Sequence, residues 1–217
     1  MPCGMPLIPA ISPEKRRLFV KSLPITQSSE FDCGPTTLMN ALRFLYPREI
    51  LPPGLLRGIW TMGNDTFNES GEPGKHGTSA AAIRYLSDWL NRYGIAFHFP
   101  IHTLFLSGRQ ARIEAGGPVL SCLEKGGCAL IRCWAGGYGH YVLLTSRLDT
   151  DEIAFWDPYE ESPDFSREPG RRVLSLPWAN RAASLAILNG QGNSDYEMGR
   201  FSKREILCFD PPDLSSK

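Results

Sequence analysis

The spacing of apolar residues changes character once along the chain, and that change limits the fold more than any other feature. Leu38, Leu42 and Leu45, then Ile83, Leu86 and Leu90, recur at helical intervals, each set lining one face of a helix. Beyond Gly126-Gly127 the runs shorten. Ala129 to Trp134, Tyr141 to Ser146 and Ile153 to Trp156 are apolar or β-branched stretches parted by Gly or Asp turns, as expected of a sheet. Arg172 to Leu176 and Ala183 to Leu188 are read as further strands. Helices first and strands later, without βαβ alternation, predict an α+β domain.

Local signals set the borders. Asp32 stands where an N-cap should, Pro35 falls in a first turn that tolerates proline, and Pro47 stops the first helix. A second helix is expected over Ser79 to Tyr93, ended by Gly94, with Ile95 to Ile101 following as a strand. Leu18 to Leu23 reads as a short strand, and Arg109 to Glu124 as helical turns broken by Gly116, Gly117 and Pro118. Gly63 to Gly77 is too polar and too rich in glycine for a buried element, so a long surface loop is expected there.

The 217 residues, 42% of them hydrophobic, suffice for one core. The expected division is an N-terminal extension over 1–24 packing on the domain, a domain over 25–210, and a frayed tail over 211–217. Lys plus Arg equals Asp plus Glu at 23 each, so no net field draws the chain to nucleic acid. No apolar run nears the roughly 20 residues that cross a bilayer, and Glu14, Lys15, Arg16 and Arg17 occupy the stretch where a signal peptide would be apolar. A cytoplasmic protein without membrane insertion is expected; oligomeric state is not legible. The six cysteines include no Cys-x-x-Cys pair, and Cys122, Cys128 and Cys133 lie among apolar neighbours, so they are read as buried free thiols and not as metal ligands.

Chemistry gathers at three places. Cys33 opens a helix, where unpaired N–H groups and the positive end of the dipole favour a thiolate. The adjacent Asp32 opposes ionisation unless its carboxylate is occupied in capping, and Gly34 clears bulk for a substrate carbonyl to approach the Cys33 N–H. His140 follows Gly136-Gly137-Tyr138-Gly139 at the head of a strand, and Asp157 ends the next apolar run before Pro158. Were those strands an antiparallel hairpin, both side chains would reach one end of the sheet, where an Asp can hold the imidazole tautomer. His76 reads as a loop residue, and His98 and His102 flank an expected strand with no acidic partner nearby, so none of the three receives a role, while Trp134 and Tyr138 bracket the glycines before His140 as candidate cleft walls.

Gln27, then Asp32-Cys33-Gly34-Pro35, later Gly139-His140-Tyr141-Val142 and Trp156-Asp157-Pro158, together resemble the papain-like cysteine peptidases, and within them the bacteriocin-processing, double-glycine-leader family. The resemblance spans Ile25 to Tyr159. It implies a papain-like fold, with a helical part carrying the nucleophile at a helix N-terminus packed on a C-terminal antiparallel sheet carrying His and Asp. It implies Cys33 as nucleophile, His140 as base, Asp157 as orienter and Gln27 as oxyanion donor, acting on a peptide or protein substrate with no cofactor and no metal. Members best known are joined to a membrane exporter and an ATP-binding domain, whereas these 217 residues contain neither a spanning run nor a Gly-x-x-x-x-Gly-Lys-Ser/Thr loop. The same Cys-His-Asp set also serves acyl transfer, as in phytochelatin synthases and transglutaminases, and a silent peptide-binding module could keep the cleft without turnover.

Overall fold

A computed structural model describes residues 23–47, 50–159, 165 and 168–212. Most of the expected N-terminal extension, Leu18 to Ser22 of the expected first strand, and 213–217 of the expected tail lie outside the described residues. Helix α1 runs Cys33–Leu45, α2 Pro53–Gly63, α3 Ala80–Phe97, α4 Pro118–Glu124 and the short α5 Leu185–Leu188. The strands are β1 Thr103–Ser107, β2 Cys128–Ala135, β3 Tyr138–Arg147, β4 Glu152–Trp156, β5 Arg171–Leu176, β6 Ala179–Ser184 and β7 Glu205–Phe209.

The strands form one sheet in the order β1-β7-β2-β3-β4-β6-β5, with every neighbouring pair antiparallel. Alternation along each strand gives the sheet two apolar faces. On one face Leu130, Tyr141, Leu143, Leu207 and Phe209 meet Leu38 and Leu42 of α1, Leu55 and Ile59 of α2, and Ile83 and Leu86 of α3. On the other, Ile131, Val142, Leu144, Phe155 and Ile206 meet Val119 and Leu120 of α4 with Tyr196 and Met198. The α+β expectation therefore holds, with the sheet as the middle layer.

Several borders move, each for a tertiary reason. Gly94 does not end α3, which runs three residues further to an αL cap at His98. Gly94 is instead a packing glycine: a Cβ there would press on the carbonyl oxygens of Ile101 and Phe99 at 2.8 and 2.9 Å. The expected strand Ile95 to Ile101 is thus the last turn of α3 and its exit, and the strand begins at Thr103, where Asn91 of α3 pairs with both backbone groups of Thr103. Ala183 to Leu188 divides into the end of β6 and α5, because the Ser184 hydroxyl accepts the Ile187 N–H and caps a helix. Helix α2 and strands β1 and β7 lie in segments for which the sequence reading named no element.

Candidate active site

Helix α1 delivers Cys33 at its first position, with Pro35 still inside the turn whose N–H groups lack helical partners. Asp32 is the N-cap by position, yet its side chain caps nothing. Its carboxylate turns backward instead. Oδ2 accepts the Ser28 N–H and hydroxyl at 3.0 and 2.6 Å, and Oδ1 accepts those of Ser29 at 2.9 and 3.1 Å. Buried Asp32 is thereby spent on shaping the Gln27–Asp32 turn, and among the described residues no group accepts the N–H of Cys33. The helix end keeps its positive character for something other than a cap.

The turn is fixed at its other end as well. Asn40 of α1 pairs through its amide with both backbone groups of Ile25 at 2.8 Å, and the Gln27 N–H donates to the Pro158 carbonyl at 2.9 Å. Gln27 is therefore tied to the residue after Asp157, although 131 positions separate Gln27 from Pro158. Its Nε2 donates to the Ser29 carbonyl at 2.9 Å, which leaves one amide hydrogen uncommitted, and its Oε1 is buried without a partner among the described residues.

Strands β3 and β4 place the remaining pair. The antiparallel register sets Leu143 opposite Trp156, so His140 near the start of β3 and Asp157 just past β4 come to the same sheet end. His140 Nε2 lies 2.7 Å from Asp157 Oδ1, which leaves Nδ1 outside that contact, and Cys33 is near enough to interact with the ring. Both are buried. Burial pushes the imidazole toward neutrality, but the Asp157 charge and hydrogen bond, with a smaller contribution from neighbouring Cys33, outweigh it and raise the His140 pKa from 6.5 to about 10. For Asp157, burial acts upward and is outweighed by the charge and hydrogen bond of His140, the Tyr159 N–H and the Tyr196 hydroxyl, leaving its pKa lowered.

Of the four residues singled out in the sequence, His140 and Asp157 are in direct contact, Cys33 lies near enough to interact with His140, and Gln27 is tied by its backbone to Pro158, the residue after Asp157. Two smaller expectations change. The space cleared by Gly34 is not open: a Cβ there would collide with the Thr78 side chain, which packs on the helix backbone beside the thiol. His102, read as lacking an acidic partner, lies 2.6 Å from Asp210, across the β1–β7 pair. Tyr138 is 79% exposed and Trp134 stacks under Arg132, so only Tyr138 offers an open aromatic surface near the glycines. Cys122, Cys128 and Cys133 are buried and free, and no metal-binding cluster of His, Cys, Asp or Glu occurs among the described residues.

Other partners went unnoticed in the sequence. Asn180 clamps the Asp157 backbone, accepting its N–H and donating to its carbonyl, each at 2.8 Å, and Tyr196 donates to Asp157 Oδ2 at 2.9 Å. On the helical side of the sheet the Tyr141 hydroxyl donates to Glu205 Oε1 at 2.7 Å, with Arg132 at 4.0 Å from the same oxygen. Burial raises the Glu205 pKa against that hydrogen bond and the Arg132 charge. No local motif marks these residues, since each gains its partner only through the tertiary fold.

No protein-family model and no curated protein matches this chain. Among solved structures, the peptidase domain of Streptococcus ComA, a bi-functional ABC transporter involved in a quorum-sensing pathway, is similar over 87% of this chain and 98% of that domain, at 11% identity and a TM-score of 0.43. A likeness of that size decides neither activity nor site.

Proposed function

We propose that this chain is a cysteine-dependent hydrolase that cleaves a peptide or amide bond through a thioester. The observation that carries the reading is the buried His140–Asp157 pair, Nε2 to Oδ1 at 2.7 Å, set close enough to Cys33, at the N-terminus of α1, for the two groups to interact. An imidazole held by a carboxylate and facing a thiol at a helix N-terminus is a nucleophile, base and orienter in series.

In the proposed sequence the Cys33 thiol gives its proton to His140 as the sulfur attacks the carbonyl carbon, and the developing oxyanion lies against the unaccepted Cys33 N–H and the uncommitted hydrogen of Gln27 Nε2. His140 gives its proton to the leaving amine as the C–N bond breaks, which its raised pKa prepares it to do at neutral pH. The imidazole, now neutral, takes a proton from water as water attacks the thioester, and as the C–S bond of that second intermediate breaks it returns the proton to the sulfur, releasing acid and restoring the thiol. Asp157 stays ionised throughout and holds Nε2–H toward itself.

The test is a digest of a peptide library by the wild-type protein and by Cys33→Ala, read by mass spectrometry. Cleavage products that vanish in Cys33→Ala are expected. Identical products from both would remove Cys33 from the reaction.

A further inference from the structure

Asp157 has two carboxylate oxygens and only one can face His140, so something must choose between them. Oδ1 receives His140 Nε2 at 2.7 Å and the Tyr159 N–H at 2.9 Å, while Oδ2 receives the Tyr196 hydroxyl at 2.9 Å. Tyr196 is 1% exposed, its ring packed against Phe155 and Phe165. Its backbone is at φ +66°, the left-handed region, an unfavourable conformation for a bulky residue. The surrounding chain imposes it. The Tyr196 N–H donates to the Trp134 carbonyl at 2.6 Å, the Trp134 N–H donates to the Glu197 carbonyl at 2.9 Å, and Asp195 accepts from Gly136 and Arg171. Trp134 closes against Gly199, and the Glu197 side chain lies against Gly190 and Gly192. The 190–199 segment is thus locked onto the end of β2, and its inward product is one hydroxyl on one carboxylate oxygen.

We propose that Tyr196 is a positioning residue of the Cys33–His140–Asp157 unit, its hydroxyl holding the Asp157 carboxylate so that Oδ1 stays on His140. The proposal rests on the hydrolase reading above. Neither reacting atoms nor substrate touch Tyr196; it acts through Asp157, and strain in the backbone is retained because the segment over-determines it. Without the hydroxyl, Oδ2 would lack a donor in a buried setting, and the carboxylate would turn to share its remaining donors between both oxygens.

The experiment compares wild type, Tyr196→Phe and Phe165→Leu, the last trimming the ring beside Tyr196 without touching the hydroxyl. Two readouts are taken at neutral pH: the NMR signal of the His140 Nε2 proton, and the rate of Cys33 alkylation by iodoacetamide, followed by peptide mass spectrometry. Wild type is expected to show a downfield, exchange-protected Nε2 proton. Tyr196→Phe should keep a cooperative unfolding transition, lose that signal to exchange, and slow Cys33 alkylation about tenfold, as removal of partners behind a functional imidazole does. Phe165→Leu should lower the melting temperature and leave both readouts unchanged. Tyr196→Phe with a wild-type signal and rate overturns the proposal, as does a Tyr196→Phe protein that no longer folds, or a Phe165→Leu protein that copies its losses, because each makes Tyr196 a packing residue. A wild-type protein with no protected Nε2 proton and with Cys33 alkylated no faster than a small-molecule thiol overturns the underlying hydrolase reading instead.

Discussion

His140 is the residue at which stability and the proposed chemistry meet. Its pKa in the fold, about 10, lies above the ordinary 6.5, so the folded protein binds its proton more tightly than the unfolded chain does. The contribution of this group is complete below pH 6.5, falls as pH rises from there, and is gone once pH passes about 10. Asp157 has the opposite sign: its lowered pKa supplies stability above 3.8 that is lost as pH falls through the folded value. Urea unfolding of wild type and His140→Gln between pH 6 and 11 should show the wild-type advantage shrinking over that window. An advantage that does not change with pH would mean that His140 is not held as a cation. Gln27 gives a second prediction at this scale. Gln27→Ala should leave alkylation of Cys33 by a haloacetamide nearly unchanged, because alkylation forms no oxyanion, while peptide hydrolysis falls about 10²- to 10³-fold. Equal losses in both assays would reduce Gln27 to a support for the turn, a role its N–H to the Pro158 carbonyl already fills.

Among the elements, α1 shows how a local signal can be right in place and different in use. Cys33, Pro35 and the leucine spacing mark the helix in the sequence, and it forms over Cys33–Leu45. The cap residue, by contrast, serves the turn before the helix, because two serines with four donors surround Asp32 and outcompete the helix N–H groups. Gly34 is similar: the sequence suggests room for substrate, and the fold uses the room for Thr78, which lies beyond the long 63–77 loop. Alanine in a helix normally improves on glycine by about 1 kcal/mol. Gly34→Ala should instead destabilise, by about 1–3 kcal/mol of overpacking, and Thr78→Gly should recover most of that loss when combined with it. Chemical unfolding of the four proteins of that cycle measures the coupling, and additive effects would mean that Thr78 does not press on α1.

At the scale of the whole molecule, β7 is the element that joins β1 to the rest of the sheet. It lies between β1 and β2, bonded to both, and its five residues are all buried, with Leu207 and Phe209 in one core and Ile206 and Cys208 in the other. A chain ending at Arg204 should therefore fail to fold cooperatively, since it would leave the facing edges of β1 and β2 unpaired and remove a buried strand from both layers. Hydrogen exchange of the full chain should find the slowest amides in β2, β3 and β7, and fast exchange over 64–77, where the turns are exposed. Protection in the loop equal to that of β2 would contradict this order.

What the sequence by itself determined was what short-range spacing encodes: two amphipathic helices and the change to short strands after Gly127, with Gln27, Cys33, His140 and Asp157 standing out as candidates through a motif resemblance. Periodicity and turn chemistry act within a few residues, so they are legible without partners. Only the tertiary structure decided that Gly94 packs where it was expected to terminate, that Asp32 serves Ser28 and Ser29, and that Thr78 fills the space at Gly34. It alone brought Tyr196 to Asp157 across 39 positions, and Glu205 to Tyr141 across 64. Those outcomes depend on which surfaces a sheet of order β1-β7-β2-β3-β4-β6-β5 sets face to face. That order is a competition among buried areas and satisfied hydrogen bonds over the whole chain, and no window of a dozen residues contains it.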